Sequence, residues 1–189
     1  MTSTITTPAS LADLTGTWTL DPSHTRIGFV ARHAMVTKVR GAFNEFEGTA
    51  VVDGNDLAAS KVNVAIQAAS IDTRNEQRDG HLRSNDFLAM DDHPTITFAS
   101  TDVRSTGATS FDLIGDLTIK GVTRSVTVPF MFEGAATDPF GNLRAGFEGA
   151  VTINRKDYGI TWNAALETGG VLVGEKIVLE FEVSAIKNA

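Results

Sequence analysis

The 189-residue chain contains no cysteine. That excludes disulfides, thiolate metal sites, iron–sulfur clusters and a thiol nucleophile. Polar aromatics are scarce too: one tyrosine and two tryptophans stand against eleven phenylalanines, so the aromatic surface has almost no polar handle. Basic residues are outnumbered, 16 Lys and Arg against 23 Asp and Glu, giving a net charge of -7 and a pI near 5.0. That balance argues against binding a nucleic-acid backbone or docking on an anionic membrane surface. No segment approaches the ~20 consecutive apolar residues of a membrane-spanning helix. The first sixteen residues, MTSTITTPASLADLTG, contain neither a Lys or Arg nor a continuous apolar run. A secretory signal needs both. The expectation is a cytoplasmic protein with a flexible N-terminal arm over 1–16 and a single domain over 17–189.

What fills the rest of the chain is alternation with a period of two. In TRIGFVARH, Thr25, Ile27, Phe29, Ala31 and His33 share one face. FNEFEGTAVVDG puts Phe46, Gly48, Ala50 and Val52 on one face, and PTITFAS does the same with Ile96 and Phe98. SFDLIGDLTIK, RSVTVPFMFEG and KIVLEFEVSAI follow the same rule through Leu117 and Ile119, through Phe130 and Phe132, and through Leu179 and Phe181. Such runs, rich in Val, Ile, Thr and Phe, read as half-buried strands. Turn chemistry separates them: DGND at 53–56, KG at 120–121, DPFGN at 138–142 and TGG at 168–170. No helices stand between most successive strands to make parallel crossovers, so the pattern predicts an antiparallel sandwich or barrel.

One stretch breaks the period. TRNEQRDGHLRSNDF at 73–87 holds Arg74, Glu76, Arg78, Asp79, His81, Arg83 and Asp86. Thr73 and Glu76 fit a capping box. Gly80 weakens a helix interior by ~1 kcal/mol, and Pro94 disfavours helix at His93. The expectation is a short helical insertion around residues 74–86. Catalysis by this stretch is not expected. Asp79 and His81, two apart on a helix, point in different directions. No nucleophile elbow, phosphate loop or paired-histidine spacing occurs. His81, Asp91 and His93 form only a generic metal-ligand set, so no metal and no cofactor are expected. The charges read as ion pairs fastening the crossing segment, as a polar border to a cavity mouth, or as both.

Several runs in order resemble the YceI-like family of lipocalin-like, polyisoprenoid-binding proteins. They are DPSHTRIGFVARH, GAFNEFEGTAVVD, SIDTRNEQRDGHLRSNDFLAMDDHPTITF, GDLTIKGVTRSVTVPF and AGFEGAVTINRKDYGI. The most specific motifs are R-D-x-H-L at 78–82, L-T-I-K-G-V-T at 117–123 and I-N-R-x-D-x-G at 153–159. The resemblance implies an all-β fold: an extended eight-stranded antiparallel barrel around an apolar tunnel, with the helical insertion near its middle. It implies binding of a long isoprenoid chain, of prenyl-lipid or quinone-precursor type, without an established reaction, and it is compatible with a homodimer.

The residue pattern supports that reading. Alternation aims Phe29, Phe46, Phe98 and Leu117 inward, and equally Ile119, Phe132, Phe147 and Phe181, with Phe87 at the lid. Small residues at Gly48, Ala50 and Gly115 are expected to leave room. His33, Arg78, Asp79 and His81 are candidates for the polar end, while Arg155 and Asp157 are expected to fix the turn before Gly159. An isoprene unit contributes on the order of 3 kcal/mol when buried, so a few units reach micromolar affinity, about -8 kcal/mol. The expected function is sequestering or carrying such a lipid. Broad capture of apolar molecules or drugs is the alternative, and an enzyme acting on a lipid head group through His81 and Asp79 is the weakest reading.

Overall fold

The computed structural model describes residues 6–189, which form one antiparallel sheet rolled into a barrel. In chain order the strands are β1 (Gly16–Leu20), β2 (Arg26–His33), β3 (Thr37–Phe43), β4 (Phe46–Val52), β5 (Lys61–Gln67) and β6 (Ile71–Asp72). Helix α1 (Glu76–Arg83) follows, and then β7 (Thr95–Ser105), β8 (Ser110–Ile119), β9 (Val122–Thr137), β10 (Leu143–Asn154) and β11 (Val173–Lys187). Eight of these strands close a ring, in the order β1-β4-β5-β7-β8-β9-β10-β11, with β11 returning to β1. Closure removes the sheet edges that would otherwise offer unpaired backbone groups.

The closing strand does two jobs. Its last residues pair with β1, Ala185 opposite Leu20. Its earlier residues pair with β2, Leu179 opposite Phe29. The D-P-S-H turn between β1 and β2 is therefore a break in one long wall rather than a hairpin. Asp21 at that break accepts a hydrogen bond from Arg144 Nη1 at 2.6 Å, and Arg144 Nε also donates to Asp138 at 2.7 Å. β3 continues the wall beyond β2, and the two-residue β6 pairs on β3.

Bulges reset the inward phase of the long strands. In β7, Thr101 is the extra residue between the Ser100–Gly115 and Asp102–Ile114 pairs. Inward positions consequently pass from Ile96 and Phe98 to Val103. In β9, Glu133 is extra between the Phe132–Phe147 and Gly134–Gly146 pairs. Gly134 supplies the positive φ of 124° that the bulge requires.

Two corrections concern the N-terminal segment and α1. The flexible arm expected over 1–16 is not loose in its second half. Leu11 and Leu14 are buried, on either side of a 3-10 turn at Leu11–Asp13, and Trp18 Nε1 donates to Leu14 O at 2.9 Å. Burial of two leucines outweighs the entropy of the Thr- and Ser-rich sequence around them. Residues 1–5 lie outside the described residues. The capping box is also displaced. Asn75, not Thr73, caps α1, accepting from Arg78 N at 2.9 Å. Thr73 is buried instead, and its N–H donates to Asp79 Oδ1 at 2.9 Å.

Candidate functional site

The interior is not filled. A cavity of about 340 Å³ runs through the barrel, bounded at one end by Leu11, Leu14 and Trp18 and at the other by Leu82, Phe87, Leu88 and Ile160. Taking ~15 Å³ for one water-sized group, it holds on the order of twenty. Its wall is apolar except at Thr25, Thr49, Ser60, Arg155 and Tyr158. Thr25 Oγ1 donates to Ser184 O and Ser60 Oγ accepts from Asp53 N, so these two hydroxyls already have partners in the wall. Water gains little in such a space, because it needs two to four polar partners to be held. An apolar ligand meets no such demand.

Of the residues expected to line the interior, Phe29, Phe98, Leu117 and Ile119 border the cavity, as do Phe147 and Phe181; so does Phe87 from the crossing segment. Phe46 and Phe132 point inward and are buried, yet they sit in the packed clusters beside the cavity rather than on its wall. Phe132 packs with Trp18, Leu11 and Leu14 at the closed end. The alternation found their side of the sheet but carried no information about how far along the barrel the hollow extends. Among the small residues, Ala50 borders the cavity, but the two glycines act differently from expectation. A Cβ on Gly115 would lie 2.5 Å from the Phe98 ring, and one on Gly48 would lie 2.3 Å from Leu20. These glycines let neighbouring side chains lie flat on the sheet. They do not themselves open the channel.

The expected polar end is corrected more thoroughly. His33 is exposed at the last residue of β2, paired with Thr37 and Val173, and it does not border the cavity. Arg78, Asp79 and His81 do not border it either. Arg78 donates through Nε to Thr73 Oγ1 and through Nη2 to Thr73 O, both at 2.7 Å. Asp79, 4% exposed, spends its carboxylate on Thr73. Arg83 extends the fastening by donating to Ala69 O and Ile71 O. His81 pairs with Asp86 at 2.9 Å, and its ring meets Phe87 and Trp162 edge-on at 5.0 and 4.6 Å. These residues therefore hold the lid from outside, and Leu82, Phe87 and Leu88 are the parts of the lid that reach the cavity. Asp79 and His81 engage different partners, so they form no relay.

Arg155 and Tyr158 are the polar wall residues that the alternation did not single out. Arg155 lies in the 3-10 turn Arg155–Tyr158 and is 3% exposed. It donates to the carbonyls of Gly174, Ile160, Trp162 and Val173. It thereby fixes the turn before Gly159 to the start of β11, as expected of it. Asp157 is exposed, and its backbone carbonyl accepts from Arg124 Nε at 3.1 Å. Tyr158 borders both the cavity and a second space between β9 and β10. The pairing of those strands stops at Phe130–Gly149, next to Pro129, which has no N–H to contribute. Beyond that point the two strands splay, leaving a cleft rimmed by Arg124, Thr127, Thr152 and Asn154. No group of three or more metal-ligating side chains converges among the described residues. No helix among them is long and apolar enough to cross a membrane.

A closed eight-stranded antiparallel barrel with an apolar hollow defines a lipocalin-like protein. The family model of the YceI-like domain matches residues 18–185, and the chain belongs to that family. It is 42% identical over 166 residues to a UPF0312 protein of Staphylococcus epidermidis, covering 87% of this chain and 93% of that one. Among solved structures it resembles BcnA of Burkholderia cenocepacia, with a TM-score of 0.76 at 22% identity over 87% of this chain and 98% of the other. It also resembles a polyisoprenoid binding domain from Saccharophagus degradans, with a TM-score of 0.67 at 13% identity over 90% and 98% of the two chains. At these identities the two solved structures speak to the fold.

Proposed function

We propose that this protein binds a long apolar lipid of isoprenoid type inside the barrel and sequesters or carries it. The observation that carries the reading is the apolar cavity of about 340 Å³ reaching from the N-terminal stopper to the lid. Its size falls within the roughly 300–1,000 Å³ of small-molecule sites. Family membership and the polyisoprenoid binding domain of the same fold support the choice of ligand class. The physical basis is burial: each buried methylene is worth about 0.8 kcal/mol, and the wall asks for little else. Binding rather than catalysis follows from the same chemistry, since the charged residues are spent on one another and on backbone around the lid.

The test is native mass spectrometry of the protein purified from its source, followed by organic extraction and by uptake assays with added prenyl lipids. A bound apolar molecule or saturable uptake is expected. Recovery of nothing, with no uptake, overturns the proposal. Competition with unrelated apolar molecules separates a dedicated carrier from a broad scavenger: equal affinities favour the scavenger.

A further inference from the structure

Six large apolar side chains are exposed among the described residues, and three of them meet at one place. Met35 and Val36, 62% and 74% exposed, form the tip of the β2–β3 hairpin, and Val171 is exposed in the 166–172 loop beside it. The two loops are tied together. Ala34 N–H donates to Leu172 O at 2.7 Å, and Met35 Sδ lies against Gly170, where a Cβ would have no room. The turn is not a relaxed one. Ala34 and Met35 have φ of 49° and 64°, the left-handed region that glycine adopts at least cost. The chain accepts that strain and holds a thioether and an isopropyl group out in water.

The surface behind the tip is basic, in a protein whose net charge is -7. The alternation that turns Ile27, Phe29 and Ala31 to the cavity turns Arg32 outward, and Lys38 stands directly opposite Arg32 on β3. Like charges placed so on one face of a sheet are destabilising. Neither has an ion-pair partner among the described residues. Lys176, exposed and likewise unpaired, lies in the bulged stretch of β11 that faces Arg32. The acids of the neighbouring strand are taken: Glu175 pairs with Lys156 at 2.7 Å, and Glu180 is shared by Arg26 and Arg40 at 3.6 and 3.9 Å. The 166–172 loop adds one exposed acid, Glu167. Cations on the free edge of β3 would by themselves discourage pairing with another chain. That explains Lys38 and Arg40, but not the apolar tip between Arg32 and Lys38.

We propose that this hairpin docks the protein on a bilayer surface that contains anionic lipid. Met35, Val36 and Val171 enter the boundary between head groups and acyl chains, while Arg32, Lys38 and Lys176 meet lipid phosphates. An apolar tip flanked by unpaired cations is the complement of such a surface. The overall excess of acid does not oppose it, because screening limits the reach of each charge to about 8 Å at physiological ionic strength. A second copy on a two-fold axis would bring the same cations face to face. An acidic protein surface would satisfy the cations but leave the tip without an apolar partner. The place of the hairpin gives the contact a use. His33 at its base pairs with Val173, which borders the cavity, and Arg155 ties Val173 to Ile160 at the lid. Docking therefore turns the lid end, and not the N-terminal stopper, toward the membrane. The inference stands on surface chemistry and is independent of what the cavity holds.

The test uses the absence of cysteine. Val36→Cys takes a single environment-sensitive fluorophore, and Phe140→Cys takes it at the opposite end of the barrel, where Phe140 is 88% exposed. Vesicles of phosphatidylcholine alone are compared with vesicles of phosphatidylcholine and phosphatidylglycerol in equal parts, with no prenyl lipid added. The emission is expected to shift to the blue at position 36 on the mixed vesicles only, and to stay unchanged at position 140. In sedimentation of the unlabelled protein with mixed vesicles, Met35→Ser combined with Val36→Ser is expected to weaken binding about tenfold or more. Arg32→Gln and Lys38→Gln are expected to weaken it about fivefold each, the equivalent of ~1 kcal/mol per basic residue. Phe140→Ser is expected to change nothing. Failure of wild type to sediment with the mixed vesicles overturns the proposal, as does equal binding to the two vesicle types. Binding that survives the double serine variant, or equal blue shifts at the two positions, overturns it as well. A wild-type dimer that the double serine variant converts to monomer, with no vesicle binding, overturns it in favour of a contact between copies.

Discussion

Replacing Val128 with phenylalanine asks directly whether the barrel is hollow where binding requires it. Val128 is 4% exposed, sits in β9 opposite Leu113 and borders the cavity. Val128→Phe adds four carbons on the lumen side. In a close-packed core such overpacking costs about 1–3 kcal/mol. In a cavity of about 340 Å³ the ring has somewhere to go, and its burial offsets its ordering. Stability in urea is therefore expected to stay within about 1 kcal/mol of wild type, or to rise. Ligand affinity moves the other way. The four added carbons displace about four ligand carbons, each worth about 0.8 kcal/mol, so affinity for a prenyl hydrocarbon falls by about 3 kcal/mol, on the order of a hundredfold. Urea denaturation and a competition assay with a fluorescent apolar probe measure the two quantities on one sample. A stability loss of 1–3 kcal/mol with unchanged affinity would refute the reasoning, because it would mean that the side chain met protein and the ligand sat elsewhere.

Asp79→Ala strands the buried Thr73 N–H and hydroxyl and frees Arg78; a loss of about 2–3 kcal/mol in urea is expected, and a loss under about 0.5 kcal/mol would contradict the bracing role. Leu14→Ala removes part of the N-terminal stopper and is expected to cost about 2–4 kcal/mol; a value typical of a surface site would show that the segment is not packed as described. Acid should weaken the protein through the carboxylates around Arg144. Asp138, held by the Arg144 guanidinium and then by the Asn142 N–H, has its pKa lowered to about 2. Asp21, held by the Ser23 hydroxyl and then by Arg144, lies well below the ordinary carboxylate range. Both pKa values are depressed by folding, so the stability they contribute is complete only above about pH 5, where the unfolded carboxyls are almost fully ionised, and is lost progressively as pH falls toward 2 and below. Urea midpoints between pH 2 and 6 should show that slope, and Arg144→Met should flatten it; an unchanged slope in the variant would remove Arg144 as its cause.

Local features of the chain were legible in proportion to how local their causes are. Alternation placed the inward faces of β8, β10 and β11 correctly, because no bulge interrupts those runs on their own strands. In β7 and β9 it read correctly as far as Phe98 and Phe132, but the bulges beyond, at Thr101 and Glu133, add a residue that no turn signal marks. The helical insertion was visible from its broken period. Its true cap was not, because Thr73 and Asn75 are both capping residues. The structure chooses between them by burying Thr73 against Asp79 and placing Arg74 at a φ of 64°. Ring closure between β1 and β11 joins residues about 165 positions apart, and nothing in either segment announces its partner. The polar wall was missed for a different reason. Arg155 was assigned a turn-fixing role that it does perform, and the one signal for Tyr158 was compositional: a lone phenol among phenylalanines.

The double duty of β11 bears on how the chain is made. Synthesis proceeds from β1 onward, so β1, β2 and β10 emerge before the strand that pairs with all three. Until those fifteen residues leave the ribosome, the nascent sheet is an open trough with its oily side toward water. A stalled or truncated product would keep that shape, with the edges of β1, β2 and β10 unsealed and suited to sticking to a neighbour. Such a protein should refold slowly, limited by long-range closure, and should depend on holdase chaperones mainly during the interval before its last strand arrives.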